Sequence, residues 1–140
     1  MKIASEQEMM ECGERLAKRI LGGGVFAPVV IELIGDVGAG KTTFTRGLAR
    51  GLSVKEPVTS PSFTISKTYA FGDGCTLAHY DFYRLGDPGL MAEDFFESVR
   101  APKTVTVVEW ADTIEDVLPE GRTKVEIRYN DDGTREVTIK

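Results

Sequence analysis

The chain has one histidine, one tryptophan, two cysteines and no excess of basic residues, and each scarcity removes a class of function. Cys12 and Cys75 lie far apart and belong to no CxxC or Cys/His pattern, so they read as reduced thiols rather than as metal ligands or a disulfide. His79 has no serine or cysteine pattern near it; it announces no catalytic triad and reads as a satisfied structural histidine. Lys and Arg number 17 against 22 Asp and Glu, a formal charge of -5, which disfavours gripping a DNA or RNA backbone as the main activity. The longest apolar stretch, Val29 to Ile34, is broken by Glu32 and is far too short to span a bilayer. Met1 to Ser5 leads into glutamates without the apolar segment of a secretory signal. A protein of the cytoplasm, off the membrane and not bound to DNA, is the expectation.

What is present fits one α/β domain over residues 1 to 140, with 41% hydrophobic and 28% charged residues. Ser5 with Glu8 forms a capping-box pattern, and Met9, Cys12, Leu16 and Ile20 recur at helical spacing, so residues 5 to 21 read as an amphipathic helix ended by Gly22-Gly23-Gly24. The β-branched run Val29-Val30-Ile31-Glu32-Leu33-Ile34 reads as a buried strand, and a helix follows from Lys41 through Phe44, Leu48 and Leu52. Residues 63 to 70 and 75 to 83 alternate around Gly72-Asp73-Gly74, which predicts an antiparallel hairpin. Asp87-Pro88 suggests a helix start before Leu90, residues 104 to 108 form another strand, and Ile114, Val117 and Leu118 a short helix. Residues 125 to 129 and 136 to 139 flank Asn130-Asp131-Asp132-Gly133 as a terminal hairpin. The fold expected is a three-layer domain of the P-loop NTPase type, with a mostly parallel central sheet and antiparallel strands at one edge.

The segment Gly35-Asp36-Val37-Gly38-Ala39-Gly40-Lys41-Thr42 matches G-x-x-x-x-G-K-[ST] between that strand and that helix. Glycines at 35, 38 and 40 let backbone N–H groups turn inward around phosphates without Cβ clashes. Lys41 then reaches the β- and γ-phosphate oxygens, Thr42 offers its hydroxyl to Mg²⁺, and Thr43 lies beside the α-phosphate. Without a nucleotide to bind, the same residues would be an ordinary strand-to-helix turn with a solvated lysine.

Hydrolysis also needs a carboxylate that holds the Mg²⁺ shell or orients water. Glu109 ends the strand of residues 104 to 108, and Asp81 follows Leu77-Ala78-His79-Tyr80, so both sit at strand ends where ligands bind in open α/β sheets. Either acid also fits a helix cap. Trp110 fits the core or a nucleotide contact. Residues 59 to 64, with Thr59, Ser60 and Thr64, read equally as a γ-phosphate-sensing loop or a stiff surface loop.

The ordered set GDVGAGKTTFTRGLARGL, VTSPSFT, HYDFYRL and VVEW resembles the TsaE (YjeE) family over nearly the whole chain. The resemblance implies an ATPase, weak in isolation, that works with TsaD and TsaB to make the threonylcarbamoyl modification of adenosine 37 in tRNAs reading codons that begin with A. It implies that Lys41 and Thr42 keep their cradle and Mg²⁺ roles, that Asp81 is the acid needed for hydrolysis and Glu109 an acid linked to Mg²⁺, and that residues 59 to 64 are switch-like. It also implies adenine contacts near Glu6, at Glu109, Trp110, Ala111 and Asp112, and in the last hairpin at Arg135. The acidic balance makes tRNA contact indirect, through the complex. Two other functions suit the same cradle: a small-molecule kinase, although residues 84 to 103 supply only Arg84, Arg100 and Lys103 for a lid, and a nucleotide-gated binding module without essential hydrolysis. No Asn-Lys-x-Asp element for guanine is present.

Overall fold

The computed structural model describes residues 1–24, 27–36, 38–59, 61, 66–83 and 90–140. In chain order the elements are β1 (Lys2–Ile3), α1 (Glu6–Gly22), β2 (Val29–Ile34), α2 (Lys41–Gly51), β3 (Ser66–Phe71), β4 (Cys75–Asp81), α3 (Leu90–Arg100), β5 (Thr104–Glu109), a 3-10 helix (Asp112–Val117), β6 (Thr123–Tyr129) and β7 (Arg135–Ile139). The expected elements are all present within a few residues, apart from two corrections. The two-residue β1 was not foreseen, being too short for any alternation to register, and the short helix is of the tighter 3-10 kind. Residues 63–65 and the Asp87-Pro88 helix start lie outside the described residues.

The strands form one sheet in the order β1-β7-β6-β2-β5-β4-β3. β6, β2, β5 and β4 run parallel; β7 and, at the far side, β3 run antiparallel to them, and β1 pairs antiparallel with β7 and so runs in the direction of the centre. Antiparallel pairs therefore lie at both edges: the expected hairpin of β3 with β4 at one, and the expected terminal hairpin of β6 with β7, extended by β1, at the other. The reason is that β6 joins the parallel centre beside β2, which leaves its hairpin partner β7 to extend the sheet outward.

Period-2 alternation divides the apolar residues between two faces. Ile31, Leu33, Leu77, Val105, Val107, Val125 and Ile127 form one core with Met9, Cys12 and Leu16 of α1 and Phe44 and Leu48 of α2. Val30, Ala78, Tyr80 and Val108 form the other with Phe95 and Val99 of α3 and with Ile114 and Leu118. Burial on both sides explains why the central strands read as nearly continuous apolar runs.

Two glycines bring α1 against α2. A Cβ on Gly47 would lie 2.0 Å from the Met10 carbonyl oxygen, and one on Gly13 would lie 2.3 Å from that of Phe44, so the helices meet backbone to backbone. Met9 consequently reaches the start of α2, where its Cε lies 3.0 Å from the Cβ position of Gly40. At the start of α1 the Ser5 hydroxyl accepts from the Glu8 N–H at 3.1 Å, and the Glu8 carboxylate reaches back to the Ala4 N–H at 2.6 Å. The capping box thus closes one residue further out than its usual form.

Glu32, which interrupts the apolar run of β2, is 4% exposed and accepts from Arg122 Nε at 2.8 Å; the same guanidinium donates to the Pro119 carbonyl at 2.9 Å. Removing one member of such a buried pair strands the other charge. Arg122→Ala should lower unfolding stability by roughly 3–5 kcal/mol, read from urea denaturation, whereas Glu32→Leu combined with Arg122→Leu should cost less than either single change.

Candidate functional site

The connection from β2 to α2 turns through backbone conformations that a Cβ disfavours: Gly38 has φ 81° and Gly40 φ 112°. Gly40 caps α2 without a side-chain acceptor, and no acidic residue occupies the first turn of the helix. The first N–H groups of α2 therefore face the loop with the positive end of the helix dipole, an arrangement suited to an anion. Ala39 is buried and donates its N–H to the Asp36 carbonyl at 3.0 Å, while Asp36 is itself exposed. Thr42 and Thr43 sit half-buried in the first turn. Val37 lies outside the described residues.

Lys41 is only 6% exposed. Its ammonium donates to the Gly35 carbonyl and, at 3.4 Å, to that of Asp36, and it lies 4.1 Å from the centre of the Trp110 ring. Burial pushes its pKa below the usual lysine range, against the pull of the Glu109, Asp81 and Asp36 charges. A lysine at the mouth of a solvated turn would instead point outward. Trp110 adopts φ 56°, a conformation costly for a bulky residue, and stacks on Tyr83 at 4.8 Å between ring centres.

Parallel pairing of β4 with β5 sets Asp81 directly beside Glu109. Both are buried, at 9% and 3% exposure. Burial raises the Asp81 pKa; the Tyr83 N–H, which its Oδ1 accepts at 2.9 Å, opposes that, the Glu109 charge adds to it, and His79 and Lys41 lower it. The Tyr83 bond is a local cap, so Asp81 combines the two roles open to it in the sequence. Glu109 meets His79 Nε2 through its Oε2 at 2.5 Å. His79 is wholly buried, and among the described residues its Nδ1 has no hydrogen-bond partner, so the expected satisfied ring is bonded there through Nε2 alone.

The residues expected around a nucleobase fall in two places. Glu6, Met9, Gly38, Gly40, Thr43 and Arg135 line a cavity of about 290 Å³. Arg135 donates to the Ala39 carbonyl at 3.2 Å and lies 4.2 Å over the Tyr129 ring, whose hydroxyl donates to the Gly38 carbonyl at 2.5 Å. Trp110, Ala111 and Asp112 instead line a separate cavity of about 200 Å³ with Gly35 and Asp36. Ala111 belongs to the second core, and Asp112 is exposed. Thr59 is exposed, accepts from the Lys67 ammonium at 2.5 Å and donates its N–H to the Tyr69 hydroxyl at 3.4 Å; Ser60 and Thr64 lie outside the described residues.

Tyr129, Tyr83 and Lys67 join the predicted residues here through Gly38, Trp110 and Thr59 respectively. The DFYRL and VEIRY segments contained the two tyrosines, but only the strand order brings the end of β6 next to β2. Among the described residues no group of three or more His, Cys, Asp or Glu side chains could hold a metal ion. Thr42, Asp81 and Glu109 are all oxygen donors, a set that fits a magnesium ion taking its other ligands from phosphate and water. No helix among the described residues is long and apolar enough to cross a membrane.

A three-layer α/β sheet with a parallel centre, whose glycine turn leads into a helix facing two buried acids, defines the class. The family model for "Threonylcarbamoyl adenosine biosynthesis protein TsaE" matches residues 3–137. The chain is similar to the tRNA threonylcarbamoyladenosine biosynthesis proteins TsaE of Streptomyces coelicolor (42% identity over 85% of this chain and 78% of that protein) and Bacillus subtilis (44% over 79% and 68%). The crystal structure of Bacillus subtilis YdiB covers 99% of this chain and 82% of its own, with TM-score 0.77 and 34% identity. The chain belongs to the TsaE family.

Asp81 gives a stability signature of its site. Its carboxyl is harder to ionise in the fold than in the unfolded chain, where the value is 3.8. The unfolded state therefore loses its proton first as pH rises, and the fold is weakened from about pH 3.8 upward until the folded-state pKa has been passed. Asp81→Asn keeps an oxygen acceptor for the Tyr83 N–H and should raise the melting temperature of nucleotide-free protein at pH 7, with the gain over wild type shrinking as pH falls toward 4.

Proposed function

We propose that the chain binds MgATP at the glycine turn and hydrolyses it in the service of tRNA threonylcarbamoylation at adenosine 37, acting with TsaD and TsaB. The observation that carries this reading is the convergence of one buried ammonium, Lys41, and two buried carboxylates, Asp81 and Glu109, at the anion-suited start of α2. Backbone N–H groups of residues 38 to 42 would cradle the phosphates, and Lys41 would leave the Gly35 and Asp36 carbonyls for the phosphate oxygens. Thr42 would hold magnesium directly, with Asp81 and Glu109 ordering its shell or the attacking water. Bound there, magnesium would neutralise charge on the phosphate oxygens.

For the base, the Glu6–Arg135 cavity is the favoured seat because it shares Gly38, Gly40 and Thr43 with the phosphate turn. Trp110, Ala111 and Asp112 flank the turn on its other side. Thr59, Ser60 and Thr64 would respond to the γ-phosphate. With a net charge of -5 the chain would meet tRNA through the partner complex and not by itself. Cytoplasmic residence accords with this role.

The test is ATP hydrolysis by wild type and Lys41→Ala, each with and without TsaD and TsaB. Wild type should turn over slowly alone and faster with the pair, and Lys41→Ala should lose at least about a hundredfold in either condition. A wild-type rate that no partner changes removes the case for coupled hydrolysis. Asp81→Asn should keep nucleotide uptake but stop turnover; full modification activity in that variant would favour nucleotide-gated docking instead.

A further inference from the structure

Glu109 stands close enough to Lys41 for its charge to act on the ammonium, yet no ion pair joins the two. An unrestrained carboxylate beside a buried cation would close on it, and in doing so would occupy the group proposed to meet phosphate. The contact that Glu109 does make is with His79, whose side chain is 0% exposed against 4% for the acid. To bond a carboxylate oxygen, Nε2 must carry the hydrogen.

His79 precedes Asp81 by two residues on the same face of β4, and its strand partner is Val107, two residues before Glu109. The imidazole therefore spans diagonally from one acid's strand to the other acid's side chain. Among the described residues its buried Nδ1 has no partner. An unpartnered polar atom in the interior is unfavourable, and an apolar residue would fill the same space without it. What the ring contributes is therefore the bond that Nε2 makes to Glu109.

We propose that His79 is a positioning residue that fixes the Glu109 carboxylate through Oε2, holding it off Lys41 and leaving Oε1 for the magnesium shell. The proposal rests on the MgATP reading above. Its role matches the way a hydrogen bond from behind orients a carboxylate that serves a metal.

The side-chain amide nitrogen of glutamine takes the place of imidazole Nε2, whereas that of asparagine takes the place of Nδ1 and falls short of Glu109. His79→Gln, His79→Asn and His79→Leu can thus be compared by titrating magnesium into each variant with a non-hydrolysable ATP analogue. The fluorescence of Trp110, the chain's one tryptophan, reports uptake beside Lys41. Mn²⁺ electron paramagnetic resonance on the same complexes reads the metal directly.

The Gln variant should hold the magnesium half-saturation within about threefold of wild type, while the Asn and Leu variants raise it roughly 10–100-fold with metal-free analogue affinity unchanged. If the Leu variant fails to fold, the Gln and Asn pair decides. Equal behaviour of Gln and Asn, whether both intact or both impaired, overturns the proposal. A wild type without magnesium-dependent uptake overturns it together with the MgATP reading, which separates the two failures.

Discussion

Parallel pairing at the centre of the sheet is the constraint on which the site depends. Leu33 of β2 pairs with Glu109 of β5, and Glu109 with Asp81 of β4, so three strands end side by side at one edge. The turn that leaves β2 has to fold back over that edge to start α2, and this carries Lys41 into the company of both acids. A slip of one residue in β4 or β5 would send the acids to opposite faces, because side-chain direction alternates along a strand. Burial of Leu77, Val105 and Val107 on the same face as the acids prevents the slip.

The site is held in a form that costs stability in several places. Asp81 is raised in pKa by burial, Lys41 is lowered by it, Trp110 takes a left-handed backbone, and among the described residues His79 Nδ1 finds no partner. Each is unfavourable for a protein that only has to fold, and all four lie within one neighbourhood. The stabilising counterweight lies elsewhere, in two cores packed on opposite faces of the sheet and in the close contact of α1 with α2 through Gly13 and Gly47. The helix contact also has a local consequence, since it brings Glu6 and Met9 to the cavity beside Gly38 and Gly40.

Much of this was legible in the sequence because it depends on short-range pattern. The glycine turn, its flanking strand and helix, and the placing of Asp81 and Glu109 at strand ends follow from spacing and from the alternation of apolar residues. Glu32 is instructive in the other direction: it appeared only as an interruption of an apolar run, and its meaning required Arg122, ninety residues later, to arrive at the same face. His79 is a similar case, because being the lone histidine gave no hint that it would meet Glu109. The resemblance implies one nucleobase site for Arg135 and Trp110, and the fold sets them in two cavities on either side of the turn.

The sequence by itself determined the local elements and the loop that offers its backbone N–H groups, since both are written in residues within one turn or one strand of each other. Tertiary structure alone decided which strands are neighbours, that antiparallel pairs close both edges, and that an ammonium, two carboxylates and an imidazole share one buried space. The physical reason is that a strand's side-chain period states which residues share a face but not which strand lies alongside, and neighbours are chosen by the packing of whole faces against helices.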